Sequence, residues 1–300
     1  MKIIRLNAKT DNPASPLSAA LGYFDGVHLG HRAVIEKAVE YAKEKGIESC
    51  VWTIDSLPKK GGDICSADEK LRLIGELGAD YIISEDFDDI RTLSPESFVF
   101  DKLIGELDIV HTFFGRNFTF GQNGKGDSDT LCRLMQSKGY GATVVGDVSK
   151  DGELVSSRAI RAALTEGNIE KAVSLLGHSY AITGKIMRGR QIGTKLGMPT
   201  VNIDYSESGI PLPEGVYASE IEIDGKVYRS ISNFGANPTV CENGQVRLET
   251  HILADVGELY GEYARVRLIT FMRPERKFEN LDALRSQIEK DVKARRQMDI

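Results

Sequence analysis

GYFDGVHLGH, residues 22–31, lies between a short apolar run and an amphipathic pattern, and its reading decides the fold of the first half of the chain. Ser18 to Phe24 reads as a short buried strand. His31 to Lys45 reads as a helix, with Ile35, Ala38, Val39 and Ala42 on one face and Gly46 just past its end. Strand, glycine-bearing turn and helix together point backbone N–H groups and the positive end of a helix dipole at an anion. Gly22, Gly26 and Gly30 let the backbone approach a ligand closely. His28 and His31 are spaced i, i+3 and share one side of the turn, so both can donate to phosphate oxygens. Donors fixed in this way stabilise charge developing at an α-phosphate. Two plainer readings stand beside this one. The pair could be half of a zinc site, although no Cys, Glu or third His lies nearby in sequence to complete it. It could also be an ordinary helix start, which leaves three glycines and Asp25 in one turn unexplained.

Outward from this turn, residues 1–165 alternate short apolar runs with helical patterns. Cys50–Ile54, Tyr81–Ser84, Ile109–Phe114 and Ala142–Val145 read as strands, and stretches near 67–77, 95–104 and 128–138 as helices. Such alternation predicts a parallel sheet covered on both faces, with ligands at the carboxyl ends of its strands. FGRNFTFGQNGKGD, residues 114–127, combines Phe114, Phe118 and Phe120 with glycines and Asn117. It suits a planar ring that stacks, with Asn117 reading its polar edge; the other reading is a loop anchored by its own phenylalanines. In VSSRAIR, residues 155–161, Ser156 or Ser157 fits an N-cap, and Arg161 one turn on can reach a triphosphate.

After Ser179 the texture changes. Residues 220–231 read as a hairpin with Asp224-Gly225 at its tip. Arg247–Leu253 and Ala264–Phe271 are further strands, and together they argue for an antiparallel barrel. A closing helix runs from Leu281 to Arg296, capped by Asn280, with Leu281, Leu284, Ile288 and Val292 as its buried stripe. Ile169–Leu176 is a short helix and Gly177-His178-Ser179 a linker. GKIMRGRQIGTKLGMPTVN, residues 184–202, surrounds a polyphosphate with glycine N–H groups, Lys185, Arg188, Arg190 and Lys195, or is a barrel loop with incidental basic residues. Thr200 and Asn202 alternate along a strand, face one way, and offer hard oxygens to Mg²⁺. Glu249, in an otherwise alternating strand that also carries His251, is either an outward-facing residue or a general base.

A chain of 300 residues allows about two domains. A net charge of −6 excludes a general binder of nucleic acid or anionic membranes. The four cysteines are scattered and read as reduced packing residues of a cytoplasmic protein. The start MKIIRLNAKT lacks a signal-peptide shape, and no apolar run is long enough to span a membrane.

GYFDGVHLGH, FGRNFTFG and SSRAIR occur in an order and spacing similar to the adenylyltransferase half of bifunctional riboflavin kinase/FAD synthetases, which carry a His-x-Gly-His signature. The second half resembles the riboflavin kinase domain through Pro199–Asn202, Gly215–Ala218, Asn233–Gly235, Asn237–Thr239, Glu249–His251 and Leu259–Gly261. The resemblance implies a Rossmann-like nucleotidyltransferase α/β domain over 1–165, a linker helix over 166–179 and a six-stranded β-barrel kinase with a terminal helix over 180–300. It implies ATP at Gly22, Phe24, Asp25, Gly26, His28, His31, Ser156, Ser157 and Arg161, and FMN at Asn117 and Phe120. In the kinase half it implies ATP and flavin at Gly184, Lys185, Gly189, Gly193, Lys195, Gly197, Pro199, Thr200, Asn202, Asn233 and Glu249. Thr200 and Asn202 are then the Mg²⁺ ligands, Glu249 the base, and His28, His31 and Arg161 the catalytic groups of the adenylyl transfer. Riboflavin, FMN and ATP are the expected small-molecule partners, FMN and FAD the products, in a monomer or weak homo-oligomer without nucleic-acid or membrane partners. The chain departs from the family at Tyr23, at Arg158, at Thr194 and over Ile54–Leu57. Those departures motivate an alternative, a riboflavin kinase with an impaired first half. A non-catalytic flavin-binding regulator is a further alternative, and it would leave Thr200, Asn202 and Glu249 idle.

Overall fold

The apolar runs of the first half become six strands of one sheet. They are β1 (Lys2–Arg5), β2 (Leu17–Leu21), β3 (Glu48–Ile54), β4 (Tyr81–Glu85), β5 (Ile109–Gly115) and β6 (Gly141–Val145), in the order β1-β4-β3-β2-β5-β6 with every neighbouring pair parallel. The structure is a computed structural model and describes residues 2–5, 16–55, 62–187, 198–204, 210–236, 246–257 and 259–298. The chain divides into two compact units, Met1–Lys59 with Ala67–Ser156, and Lys60–Ser66 with Ser157–Ile300.

In the first unit every residue of β2 is buried, as a central parallel strand covered on both faces requires. One face packs Ala20, Val51 and Ile82 against Ile35, Ala38 and Val39 of α1 (Leu29–Lys45) and against Leu71 and Ile74 of α2 (Ala67–Gly75). Two short helices follow, α3 (Phe87–Ile90) and α4 (Pro95–Ser97), and α4 continues as a π-helical segment over Phe98–Glu106. The opposite face packs Leu21, Trp52 and Ile83 against Phe98 and Leu103 of that segment and against Leu131 and Met135 of α5 (Ser128–Ser137). This second core contains a charged device. Trp52 Nε1 donates to Glu85 Oε1 at 2.6 Å, and Lys102 Nζ lies 3.0 Å from Glu85 Oε2. Burial opposes the Lys102 charge, but hydrogen bonds to Glu85 and Glu106 outweigh it and hold its pKa above the ordinary lysine value. A small hairpin, β7 (Ser149–Lys150) with β8 (Glu153–Leu154), ends the unit.

The expected elements form, with corrections at their edges. The first strand stops at Leu21 rather than Phe24, because Phe24 and Val27 take φ of 54° and 41°, which no strand accommodates. The helix starts at Leu29 rather than His31, because His28 caps it. The edge strand β1 was not expected from sequence; four residues are too few to carry a periodicity.

The second unit begins with α6 (Ser157–Thr165) and α7 (Ile169–Leu176). Its strands are β9 (Ala181–Met187), β10 (Thr200–Asp204), β11 (Gly215–Ile223), β12 (Lys226–Ala236), β13 (Val246–Ile252) and β14 (Tyr263–Pro274). They close a barrel in the order β10-β13-β12-β11-β14-β9, every pair antiparallel. Asp224 and Gly225, both at positive φ, form the expected tight turn between β11 and β12, whose twist matches that of the strands it joins. Ser219, Ser230, Ser232 and Thr250 are wholly buried and satisfy one another in a chain of hydroxyl hydrogen bonds of 2.8 to 2.9 Å.

The terminal helix α8 (Leu281–Gln297) is capped as expected: the Asn280 side chain accepts from the Ala283 N–H at 2.9 Å. Its expected buried stripe is not buried. Leu281 is 59% exposed, Leu284, Ile288 and Val292 are half-buried, and the buried residues are Asp291 and Arg295. Periodicity reports an apolar face without reporting what that face meets.

Gly215 lies where β11 and β14 approach, and a Cβ there would collide with the Arg273 carbonyl. Gly215→Ala is expected to destabilise the second unit by about 1–3 kcal/mol, read as a lowered unfolding temperature in calorimetry. Gly146→Ala, where a Cβ meets nothing within 4 Å, is expected not to lower it.

Candidate active sites

The turn after β2 has strained backbone. Phe24, Gly26 and Val27 all take positive φ, and for a β-branched valine this is an outlier that only surrounding structure can enforce. The enforcement is visible. Phe24 is 2% exposed and Val27 fully buried, and the Val27 N–H donates to the Phe24 carbonyl at 3.0 Å. A Cβ on Gly22 would sit 2.9 Å from the Phe24 ring, so that glycine is required there. Asp25 and His28 are also buried.

His28 is the N-cap of α1, and its Nδ1 accepts from the His31 N–H at 3.2 Å. In the neutral ring Nδ1 is thereby the acceptor and Nε2 carries the proton. The two imidazoles stack with centroids 3.5 Å apart and planes 16° from parallel, and Phe24 meets His31 edge-on at 5.4 Å. A Cβ on Gly30 would lie 3.2 Å from the His28 ring, so Gly30 makes room for the stack. The result is a pair of oriented imidazoles on the positive end of a 17-residue helix, at the carboxyl end of the central strand. Among the described residues, no group of three or more His, Cys, Asp or Glu side chains is placed to hold a metal ion, so the zinc alternative has no support there.

The aromatic loop divides its residues. Phe114 and Phe120 are in the core beside Trp52 and Phe98, and a Cβ on Gly126 would enter the Phe120 ring at 2.6 Å. Phe118, half-buried, lies parallel to Phe120 at 5.8 Å, and Asn117 is exposed. Ser156 belongs to the first unit, while Ser157 and Arg161 belong to the second, where Arg161 Nη1 donates to the Gly62 carbonyl. Arg158 is exposed. Ser56, Leu57 and Pro58 lie outside the described residues.

Lys70 is a residue the sequence reading missed. It is 4% exposed on α2, its ammonium donates to the Ile54 carbonyl at 2.6 Å, and it lies 4.4 Å from the centre of the Tyr23 ring. It ties the strained turn to the end of β3. A lysine at a helix position flanked by Leu71, Leu73 and Ile74 was the available signal.

In the second unit, register assembles the predicted residues. Asn202 pairs with Glu249 across β10 and β13, and Glu249 with Asn233 across β13 and β12. The next row is Thr200, His251 and Ile231. Leu248, Thr250 and Ile252 are buried between them in sequence, so Glu249 and His251 face away from the barrel interior. A cavity of about 350 Å³ is lined by Thr200, Asn233, Glu249 and His251, with Val216, Ile231, Phe278, Leu284 and Ile288 as apolar walls. A second cavity, of about 520 Å³, is lined by Pro199, Thr200, His251, Leu253, Leu259 and Tyr260. Thr200 and His251 belong to both. His251 Nδ1 donates to the Pro199 carbonyl at 2.9 Å, which fixes its tautomer and leaves Nε2 as the acceptor of the neutral ring. Asn202 is 3% exposed, and its Oδ1 has no hydrogen-bond donor among the described residues. Gly184 and Lys185 are on β9, and Lys185 is exposed. Gly189, Gly193, Lys195, Gly197, Arg188, Arg190, Thr194 and Asn237–Thr239 lie outside the described residues. The wall formed by Phe278, Leu284 and Ile288 was not read from the sequence as part of a site.

A parallel α/β unit with a histidine-bearing turn at a helix N-terminus, followed by an antiparallel barrel with a carboxylate in the wall of one of two adjoining cavities, defines a two-unit nucleotide-dependent transferase. A family model for FAD synthetase matches residues 11–159, and one for riboflavin kinase matches residues 176–298. The bifunctional riboflavin kinase/FMN adenylyltransferase of Bacillus subtilis is 36% identical, over 91% of this chain and 89% of its own length. Its counterpart in Escherichia coli K12 is 32% identical over 97% and 96%. The crystal structure of a protein from Streptococcus pneumoniae described as a macrolide-efflux protein superposes with a TM-score of 0.84 at 26% identity, covering 99% of each chain. No helix among the described residues is long and apolar enough to cross a membrane. The chain belongs to the family of bifunctional riboflavin kinase/FMN adenylyltransferases.

Lys70→Met would strip the Ile54 carbonyl of its buried donor, and a lost hydrogen bond of this kind costs about 1–3 kcal/mol. The expected outcome is a lower urea midpoint for the first unit, followed by the fluorescence of Trp52, the one tryptophan of the chain.

Proposed function

We propose that the second unit phosphorylates riboflavin to FMN with ATP and that the first adenylylates FMN to FAD, releasing pyrophosphate. In this reading residues 1–165 form the adenylyltransferase domain, 166–179 a linker helix and 180–300 the kinase domain of a cytoplasmic enzyme. The observation that carries it is the cross-strand row Asn202, Glu249, Asn233, with Glu249 and Asn233 in the wall of one cavity that shares Thr200 and His251 with a second. A phosphoryl transfer uses such a layout: acceptor in one cavity beside the carboxylate, nucleotide in the adjoining one.

The mostly apolar cavity suits the flavin ring, and the second cavity suits the nucleotide. Glu249 takes the proton of the ribityl primary alcohol as its oxygen attacks the γ-phosphorus of ATP and ADP departs. The buried Oδ1 of Asn202, which has no donor among the described residues, is what a hard cation would use, so Asn202 with the Thr200 hydroxyl fits Mg²⁺. Bound there, Mg²⁺ supplies charge neutralisation on the transferring phosphates.

The adenylyl transfer has a different proton account. Its acceptor, the FMN phosphate, is already anionic and attacks the α-phosphorus without a base. What it needs is placement and charge stabilisation, which His28 and His31 supply through oriented N–H groups at the helix terminus. Ser156, Ser157, Arg161 and the Asn117 loop are assigned to ATP and FMN on resemblance.

The test is a time course of purified protein with riboflavin, ATP and Mg²⁺, with flavins separated by chromatography. FMN is expected first and FAD after it, and chelation with EDTA is expected to stop FMN formation. Glu249→Gln is expected to slow FMN formation by roughly 10²–10⁴-fold while FAD still forms from supplied FMN. His28→Ala is expected to make FMN accumulate. A Glu249→Gln rate within a few-fold of the parent would remove the base assignment, and FMN that never becomes FAD would remove the adenylyl transfer.

A further inference from the structure

Helix α8 is attached to its barrel by charge and faces the ligand cavity with its apolar side. Leu284 and Ile288 line the cavity that holds Glu249, while the residues α8 buries are Asp291 and Arg295. The Asp291 side chain is 7% exposed. Arg273, near the end of β14, grips it through Nε, 3.2 and 3.1 Å from its two carboxylate oxygens, and through Nη2 at 2.7 Å from Oδ2. Gln287 Nε2 donates to Asp291 Oδ1 at 2.8 Å, and Arg273 Nη1 donates to the Pro274 carbonyl at 3.1 Å, so both partners are held on their far sides. One turn further along, Arg295 is fully buried and its Nε donates to the Ser219 carbonyl at 3.2 Å.

An apolar stripe has no preferred distance: left to itself it closes on whatever apolar surface it meets. A forked guanidinium–carboxylate pair is directional and fixes both spacing and angle. A buried pair adds little net stability, yet losing one partner leaves an uncompensated charge. We propose that Arg273 and Asp291 are positioning residues for riboflavin. Their ion pair sets the height of α8 above the barrel and keeps Leu284 and Ile288 apart from Val216 and Ile231 by the thickness of a flat ring. This rests on the reading of that cavity as the flavin site. Asp291 and Arg273 line the first cavity and not the second, to which α8 contributes Arg296 among the described residues, so the pair bears first on the flavin side of the reaction.

The experiment uses the full chain and three variants. Riboflavin dissociation constants are read by quenching of flavin fluorescence, alongside kcat, KM for ATP and the rate of FAD formation from supplied FMN. Asp291→Asn is expected to weaken riboflavin binding about tenfold, with kcat and KM for ATP changed less than about twofold and FAD formation unchanged. Arg273→Lys, which keeps the charge and loses the fork, is expected to fall between parent and Asp291→Asn, and it carries the test if Asp291→Asn does not fold. Unchanged riboflavin affinity in the folded variants overturns the assignment, and so does a parallel loss of kcat and ATP affinity, which is the mark of general unfolding. Ile288→Glu separates this inference from the reading beneath it. If Ile288→Glu abolishes riboflavin binding while Asp291→Asn leaves it intact, only the positioning role fails; if Ile288→Glu also binds normally, the cavity is not the flavin site.

Discussion

The pairing of β10 with β13 is the constraint on which the chemistry of the second unit rests. In the observed register Asn202 lies beside Glu249 and Thr200 beside His251. Because side chains alternate along a strand, a slip of one residue would turn Asn202 and Thr200 to the opposite face and leave Glu249 opposite an apolar neighbour. Closure prevents this slip from both sides, since β10 is also paired with β9 and β13 with β12. The interior residues Leu248, Thr250 and Ile252 hold the same register through burial. A carboxylate, an amide and a hydroxyl are thus fixed by packing that involves none of them.

The first unit solves a similar problem with strain instead of register. Its imidazoles depend on a turn in which Phe24 and Val27 occupy left-handed backbone, a conformation worth several kcal/mol less than the alternatives for two such residues. Burial of both side chains, the packing of Phe24 over Gly22 and the Lys70 tie to β3 offset that cost. Both units therefore place reacting groups on backbone that the surrounding core over-determines, which is the structural meaning of preorganisation. They differ in what they hold ready. A carboxylate suits an alcohol that must lose its proton, and N–H donors suit a phosphate that has none to lose.

Much of this was legible in the sequence wherever the signal is local. Alternating strand and helix patterns gave the parallel sheet, Asp224-Gly225 the tight turn, Asn280 the helix cap, and the i, i+3 spacing of His28 and His31 their adjacency. Glu249 stayed open between an outward-facing residue and a base, because its neighbours Asn202 and Asn233 come from distant strands and only pairing reveals them. Short β1 carried too little pattern to see, and the strand before the strained turn was read on to Phe24, past its end at Leu21, because Phe24 is apolar. The stripe of α8 was read correctly as apolar and wrongly as buried, since a period of 3.6 residues is the same whether the face meets a core or a ligand cavity.

The central claim is that one chain carries two transfers from ATP, to different atoms of the same product, and labelled ATP tests it most directly. The full chain would be given riboflavin and Mg²⁺ with ATP radiolabelled at the γ-phosphorus in one reaction and at the α-phosphorus in another. The account predicts γ-label in FMN and, carried forward, in FAD, with α-label appearing in FAD alone. Alpha-label in FMN, or FAD that carries no α-label, would contradict it.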